Sequence, residues 1–92
     1  MHLTELEWDD ENEGHLARHG VTPEEVEEVL FFNPVVRRTR QGRYLAFNQT
    51  LAGRHLLVVF AYLRDQLARP ITARDMDQKE RRTYGKWRGG KK

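Results

Sequence analysis

The chain reads as an α+β protein with two N-terminal helices, an antiparallel sheet of about four strands and a closing C-terminal helix. Three observations predict this order. Two capped helical segments precede Asn33-Pro34. Strand-like runs then follow one another with no helix between them. A last capping signal, Asp77 with Glu80, opens the final segment. Helices and strands that are grouped rather than alternating favour α+β over α/β.

Each element has its own signal. Leu3 to Trp8 alternates apolar and polar residues, as a short strand with Leu6 and Trp8 on one face would. Asp9 or Asp10 can cap a helix ending near His19, with Gly20 as its left-handed stop. Helical spacing puts Asn12, His15, Leu16 and His19 on one face. The second helix opens with Thr22 as cap, Pro23 at its first position and Glu25 completing a capping box. Val21 and Val26 are placed as a hydrophobic staple, and Val26, Val29 and Leu30 form its buried stripe. Asn33-Pro34 ends it.

Val35–Arg40 and Arg43–Asn48 read as strands around a two-residue Gln41-Gly42 turn. His55–Leu63 is nearly continuous in apolar residues, which predicts a central strand covered on both faces. Arg64-Asp65-Gln66 turns the chain into a last strand, Leu67–Arg74, where Pro70 requires an edge or a bulge. The helix opened by Asp77 runs toward Trp87. Residues 1–88 make one domain, and 89–92 are expected as a flexible basic tail, with Arg88 at its root.

The 92 residues are 38% hydrophobic and 33% charged, ordinary for a water-soluble domain. No apolar run is long enough to span a bilayer. The start, Met1 to Glu5, lacks the basic and apolar regions of a secretory signal. The absence of cysteine excludes a disulfide framework and a thiolate zinc site. A cytoplasmic location is expected. The net charge of +2 hides a division: residues 1–34 carry −9 and residues 35–92 carry +11. The basic part suits nucleic acid or an acidic protein, and two solvated faces of opposite sign explain it equally well.

Familiar enzyme motifs are missing. The sequence has no glycine-rich phosphate loop, no His-Glu-x-x-His and no Gly-x-Ser-x-Gly. His15 and His19 stand one helical turn apart, which fits a packed and a solvated imidazole, acid–base work with Arg18 as a phosphate contact, or two ligands of an incomplete zinc site. Arg54 and Arg64 bracket the central strand, Arg74 ends the last one, and Arg81 and Arg82 lie on the closing helix. Guanidinium suits phosphate and carboxylate alike, so residue type does not choose between them. Tyr84 and Trp87 have the spacing of core aromatics and also of base-stacking ones. Arg37, Arg38, Arg40 and Arg43 crowd the first hairpin, where charge protects an outer strand from pairing.

Trp8-Asp9, His19-Gly20-Val21 and Pro23-Glu24-Glu25-Val26 resemble the N-terminal half of BrnT-type toxins. Asn33-Pro34 resembles the dipeptide before their first long strand, and Arg54 to Phe60 resembles their central strand. Ile71-Thr72-Ala73-Arg74, then Glu80-Arg81 and Tyr84, resembles their closing signature. The likeness runs from about Leu6 to Tyr84. The first helix departs from the pattern, with Asn12, His15 and Arg18 at places where the family commonly has Lys and Asn.

The resemblance implies a fold akin to RelE-type toxins and a ribonuclease that arrests translation without metal or other cofactor. It implies a BrnA-type ribbon-helix-helix antitoxin as partner, beside the RNA substrate, and dimers or antitoxin-bridged assemblies. Carried onto this chain, the catalytic candidates are His19, Arg64, Arg74, Glu80 and Tyr84. Arg64 and Arg74 would hold the scissile phosphate. His19 or Glu80 would take the 2′-hydroxyl proton, and Tyr84 would position or donate. Arg18, Arg54, Arg81 and Trp87 are the expected RNA contacts. The rival readings are a non-catalytic RNA- or protein-binding module and a toxin homologue that has lost its activity.

Overall fold

The computed structural model describes residues 1–89. Helix α1 spans Asp10–Arg18 and α2 spans Pro23–Phe31. Asp9 caps α1: its carboxylate accepts the Asn12 amide, while the Asn12 side chain accepts the Asp9 amide. Thr22 and Glu25 close the same reciprocal box on α2. Gly20 after α1 and Asn33 after α2 both have positive φ, the left-handed turn that ends a helix.

One sheet holds β1 (Glu5–Leu6), β2 (Val35–Arg38), β3 (Tyr44–Gln49), β4 (His55–Arg64) and β5 (Leu67–Asp75), in the order β1-β5-β4-β3-β2. Strands β2 to β5 form the expected antiparallel meander. The sheet nevertheless has five strands and is mixed, because β1 joins the free edge of β5 in parallel. Pro70 is tolerated in β5 because the register shifts beside it: Val59 pairs with Thr72 and Phe60 with Pro70, leaving Ile71 as a bulge. The buried Asn12 side chain donates to the Pro70 carbonyl and to that of Glu7, both at 2.9 Å, so α1 is fixed to this irregular stretch.

The β2–β3 and β3–β4 turns are built alike. In Thr39-Arg40-Gln41-Gly42-Arg43 the threonine N–H donates to the Arg43 carbonyl (2.8 Å), and Arg43 N–H donates to the threonine hydroxyl (3.1 Å). Thr50-Leu51-Ala52-Gly53-Arg54 repeats this at 2.9 and 3.1 Å. In each, the glycine takes positive φ, +81° and +93°. The first loop is therefore three residues between Thr39 and Arg43, rather than the two-residue turn expected, and its glycine meets the left-handed requirement.

Helix α3 spans Gln78–Gly89. Asp77 and Glu80 cap it reciprocally. Arg88, expected at the root of a mobile tail, is instead held within α3 and donates to Tyr84 Oη, Asn48 Oδ1 and the Asn33 carbonyl. The remaining residues of that tail, 90–92, lie outside the described ones.

The sheet has two different faces. α1 and α2 cover one, burying Leu16, Val26 and Val29 against Ala46, Leu56, Val58, Phe60 and Ala73. α3 covers part of the other, where Phe47, Leu57, Met76 and Tyr84 make a smaller core. Alternation along β4 explains the split: Leu56, Val58 and Phe60 point one way, Leu57 and His55 the other. The sequence's charge division follows. The acidic helices α1 and α2 lie on one side of the sheet, and the basic α3 lies on the other.

Candidate functional site

The end of β4 that carries His55 and the start of α3 enclose an open groove of about 580 Å³, lined by His55, Met76, Gln78, Arg81 and Arg82. A second concavity shares His55, Met76 and Arg81 and extends toward Gly53, Arg54 and Asp75. Strand register builds this place. Met76 N–H donates to the His55 carbonyl at 3.0 Å, so β5 leaves the sheet beside the first residue of β4. The Asp77 cap then turns the chain into α3, which lays Arg81 and Arg82 along the groove.

His55 is half-buried, and its ring meets Tyr84 edge to face at 5.8 Å. Burial, and secondly the positive charge of Arg81, hold its pKa below the ordinary 6.5. The imidazole is therefore neutral at pH 7 and can accept a proton. Arg81 and Arg82 are exposed and take part in no ion pair among the described residues. A neutral base beside two unpaired guanidinium groups can accept a proton next to a bound phosphate.

Around the groove the other charged groups are tied. Arg74 and Glu80 form a bidentate pair, both contacts 2.8 Å. The guanidinium holds the Glu80 carboxyl below the usual range, and the cap bond from Asp77 N–H adds to this. Arg54 donates to Asp75 (2.7 and 3.1 Å), to Glu25 (3.2 and 3.3 Å), and to the Gly20 and His19 carbonyls. It joins the end of α1, the first turn of α2 and the end of β5, and so fixes the groove's back wall.

The residues singled out from sequence fall in different places. Arg81 lines the groove. Arg74 and Glu80 stand together on the same sheet face, paired with each other. Arg54 borders the groove with its donors occupied. His19 caps the end of α1, on the Arg54 side, with its side chain exposed. Tyr84 is buried beneath the groove, 5% exposed, and its hydroxyl donates to Asn48 Oδ1 at 3.1 Å. Trp87 packs edge-on against Phe47 (5.2 Å), with the Arg37 guanidinium 4.2 Å from its ring centroid. Arg18 lies on α1 within 3.4 Å of His15 Nδ1. Arg64 ends β4, nine residues along from His55, so it stands roughly 30 Å away at the other end of the sheet. The structure does not bring Arg64 or Arg18 to the groove.

Sequence reasoning passed over His55 as a site residue, and named Arg82 only among the arginines of the closing helix. His55 reads as the polar start of an apolar strand, and only the return of α3 gives it charged neighbours. Among the described residues, no group of three or more His, Cys, Asp or Glu side chains could hold a metal ion, and His15 has Arg18 as its neighbour. No described helix is long and apolar enough to cross a membrane.

A search of curated proteins finds no match. The family model described as ribonuclease toxin, BrnT, of type II toxin-antitoxin system matches residues 8–80, from Trp8 through the groove-lining Met76 and Gln78 to Glu80. The chain therefore belongs to the BrnT family of ribonuclease toxins of type II toxin–antitoxin systems.

Proposed function

We propose that the chain is a metal-independent endoribonuclease that inhibits translation, with its active centre in the groove between β4 and α3. One observation carries this reading: the neutral, half-buried His55 beside the unpaired Arg81 and Arg82. In the proposed reaction His55 takes the proton from an RNA 2′-hydroxyl. The 2′-oxygen attacks the adjacent phosphorus, and Arg81 and Arg82 stabilise the extra negative charge. The 5′-oxygen leaves with a proton from solvent at the open side of the groove. The products are a 2′,3′-cyclic phosphate and a 5′-hydroxyl end.

The tied groups have supporting roles in this scheme. Arg74 and Glu80 hold the first turn of α3 against β5, and Arg54 holds the back wall. Tyr84 supports the His55 ring from below. His19, on the Arg54 side, is placed to contact RNA as it enters. The proposed partner is an antitoxin of the BrnA ribbon-helix-helix type that closes the groove.

The test is cleavage of a defined RNA by the purified chain in the presence of a chelator, with end-group analysis. Cleavage that leaves cyclic phosphate ends and survives EDTA is the expected result, together with growth arrest on induction. RNA binding by the folded chain without cleavage would favour the rival, a non-catalytic binding module. Cleavage that EDTA abolishes would overturn metal independence.

A further inference from the structure

The arginines divide by what they touch. Arg54, Arg69 and Arg74 each pair with carboxylates, and Arg88 is spent on Tyr84, Asn48 and Asn33. Arg37, Lys79, Arg82 and Lys86 take part in no ion pair among the described residues. Arg18, Arg38, Arg40, Arg43, Arg64 and Arg81 are likewise outside these ion pairs, but these four cations lie together. Lys79, Arg82 and Lys86 follow helical spacing on the exposed side of α3, a stripe about 10 Å long. Arg82 lines the groove, and Lys79 borders another concavity that reaches Trp87. There Arg37 lies on the indole ring and carries the positive charge to β2, the outermost strand of the sheet.

We propose that this stripe, Lys79–Arg82–Lys86–Arg37, is a second contact surface for the phosphate backbone of single-stranded RNA, leading away from one side of the groove. It rests on the ribonuclease reading for its substrate, and adds that the enzyme engages several nucleotides beyond the scissile bond. Two features favour a nucleic-acid backbone over an acidic protein. The surface is linear, with cations one helical turn apart. Among the described residues it also lacks the apolar centre of a protein interface: of the large exposed hydrophobic residues only Trp87 lies here, and Phe47 and Arg37 both contact its ring. Contact of this kind is insensitive to base sequence and strongly dependent on salt.

The test uses 2′-O-methyl single strands of about four and about twelve nucleotides, which cannot be cleaved because the attacking hydroxyl is blocked. The wild-type chain is expected to bind the longer strand more tightly and with steeper salt dependence. The triple variant Arg37→Gln/Lys79→Gln/Lys86→Gln keeps the groove residues. It should bind the longer strand at least ~10-fold more weakly, with a salt slope lower by about 2, since each lost phosphate contact removes roughly 0.7. Binding of the short strand should not change. Circular-dichroism melting establishes that the variant is folded.

Unchanged binding of the longer strand by a folded triple variant would overturn the proposal, and cleavage of unmodified RNA by the wild type would then leave the ribonuclease reading intact. Absence of cleavage, with the predicted loss in the variant, would sink the catalytic reading and uphold the stripe. Binding of neither strand would overturn both. Polyglutamate binding tighter than the longer strand at equal charge would assign the surface to an acidic protein instead.

Discussion

The turns Thr39–Arg43 and Thr50–Arg54 have the same local sequence pattern, Thr-x-x-Gly-Arg, and the same backbone hydrogen bonds. Their arginines nevertheless do opposite things. Arg54 is held by two carboxylates and two backbone carbonyls from α1, α2 and β5. Arg43, at the other end of the sheet, takes part in no ion pair among the described residues. Local sequence thus fixes the backbone of a turn, while distant segments decide whether its arginine is structural or free. The same distinction runs through the molecule. Tied arginines border the groove, and others take part in no ion pair among the described residues.

The comparison predicts separable effects. The largest is on chemistry at an unpaired arginine. Arg81→Ala should lower RNA cleavage by ~10²–10³-fold, the range for removing a preorganised donor to a developing charge, while its urea midpoint stays near wild type. Single-turnover kinetics beside a denaturation curve would check this. An equal loss of stability would mean that Arg81 is a structural residue.

Arg54→Ala should do the reverse, costing about 2 kcal/mol of stability through its several charged hydrogen bonds, discounted for their partial exposure. Its counterpart Arg43→Ala should cost under ~0.5 kcal/mol, as a surface change. Urea unfolding of the two variants side by side checks this, and similar midpoints would contradict a structural role for Arg54.

Acid should release the tied pairs. The carboxyls of Asp75 and Glu80 are held below their ordinary 3.8 and 4.5 by Arg54 and Arg74 respectively. The folded state then binds fewer protons than the unfolded chain. The stability they contribute is complete above the ordinary values and is lost as pH falls through the lowered ones. Urea midpoints should drop between pH 6 and pH 3, and Arg74→Gln should reduce the part of that drop due to Glu80. The smallest effect is a titration shift. The His55 ring should titrate below 6.5 by NMR, and Arg81→Ala should raise that value by removing a nearby positive charge.

Much of the fold was legible because its signals are local. The boxes Asp9–Asn12, Thr22–Glu25 and Asp77–Glu80 mark helix starts within four residues of sequence. The apolar run from His55 identified the central strand. The parallel pairing of β1 was not legible, since its partner Leu67–Ala68 lies far along the chain and Glu5-Leu6 carries no pairing signal. The repeated Thr-x-x-Gly-Arg was a usable signal for both turns.

The candidate site was legible in part. Arg74, Glu80 and Arg81 could be placed near one another because a strand end runs directly into a capped helix. His55 could not, because its charged neighbours are supplied by α3, more than twenty residues later. The distance of Arg64 from the groove follows from strand length alone: a ten-residue strand separates its ends by about 30 Å.

His55 is the proposed proton acceptor, in a groove bordered by tied charges. Its most direct test is the rate of RNA cleavage by His55→Gln, measured with purified protein whose fold is checked by circular dichroism. A fall of ~10²–10⁴-fold is predicted, with loss of the acidic limb that protonation of His55 should give the wild type below pH 6.5. Cleavage at the wild-type rate by the folded variant, with the acidic limb still present, would contradict it.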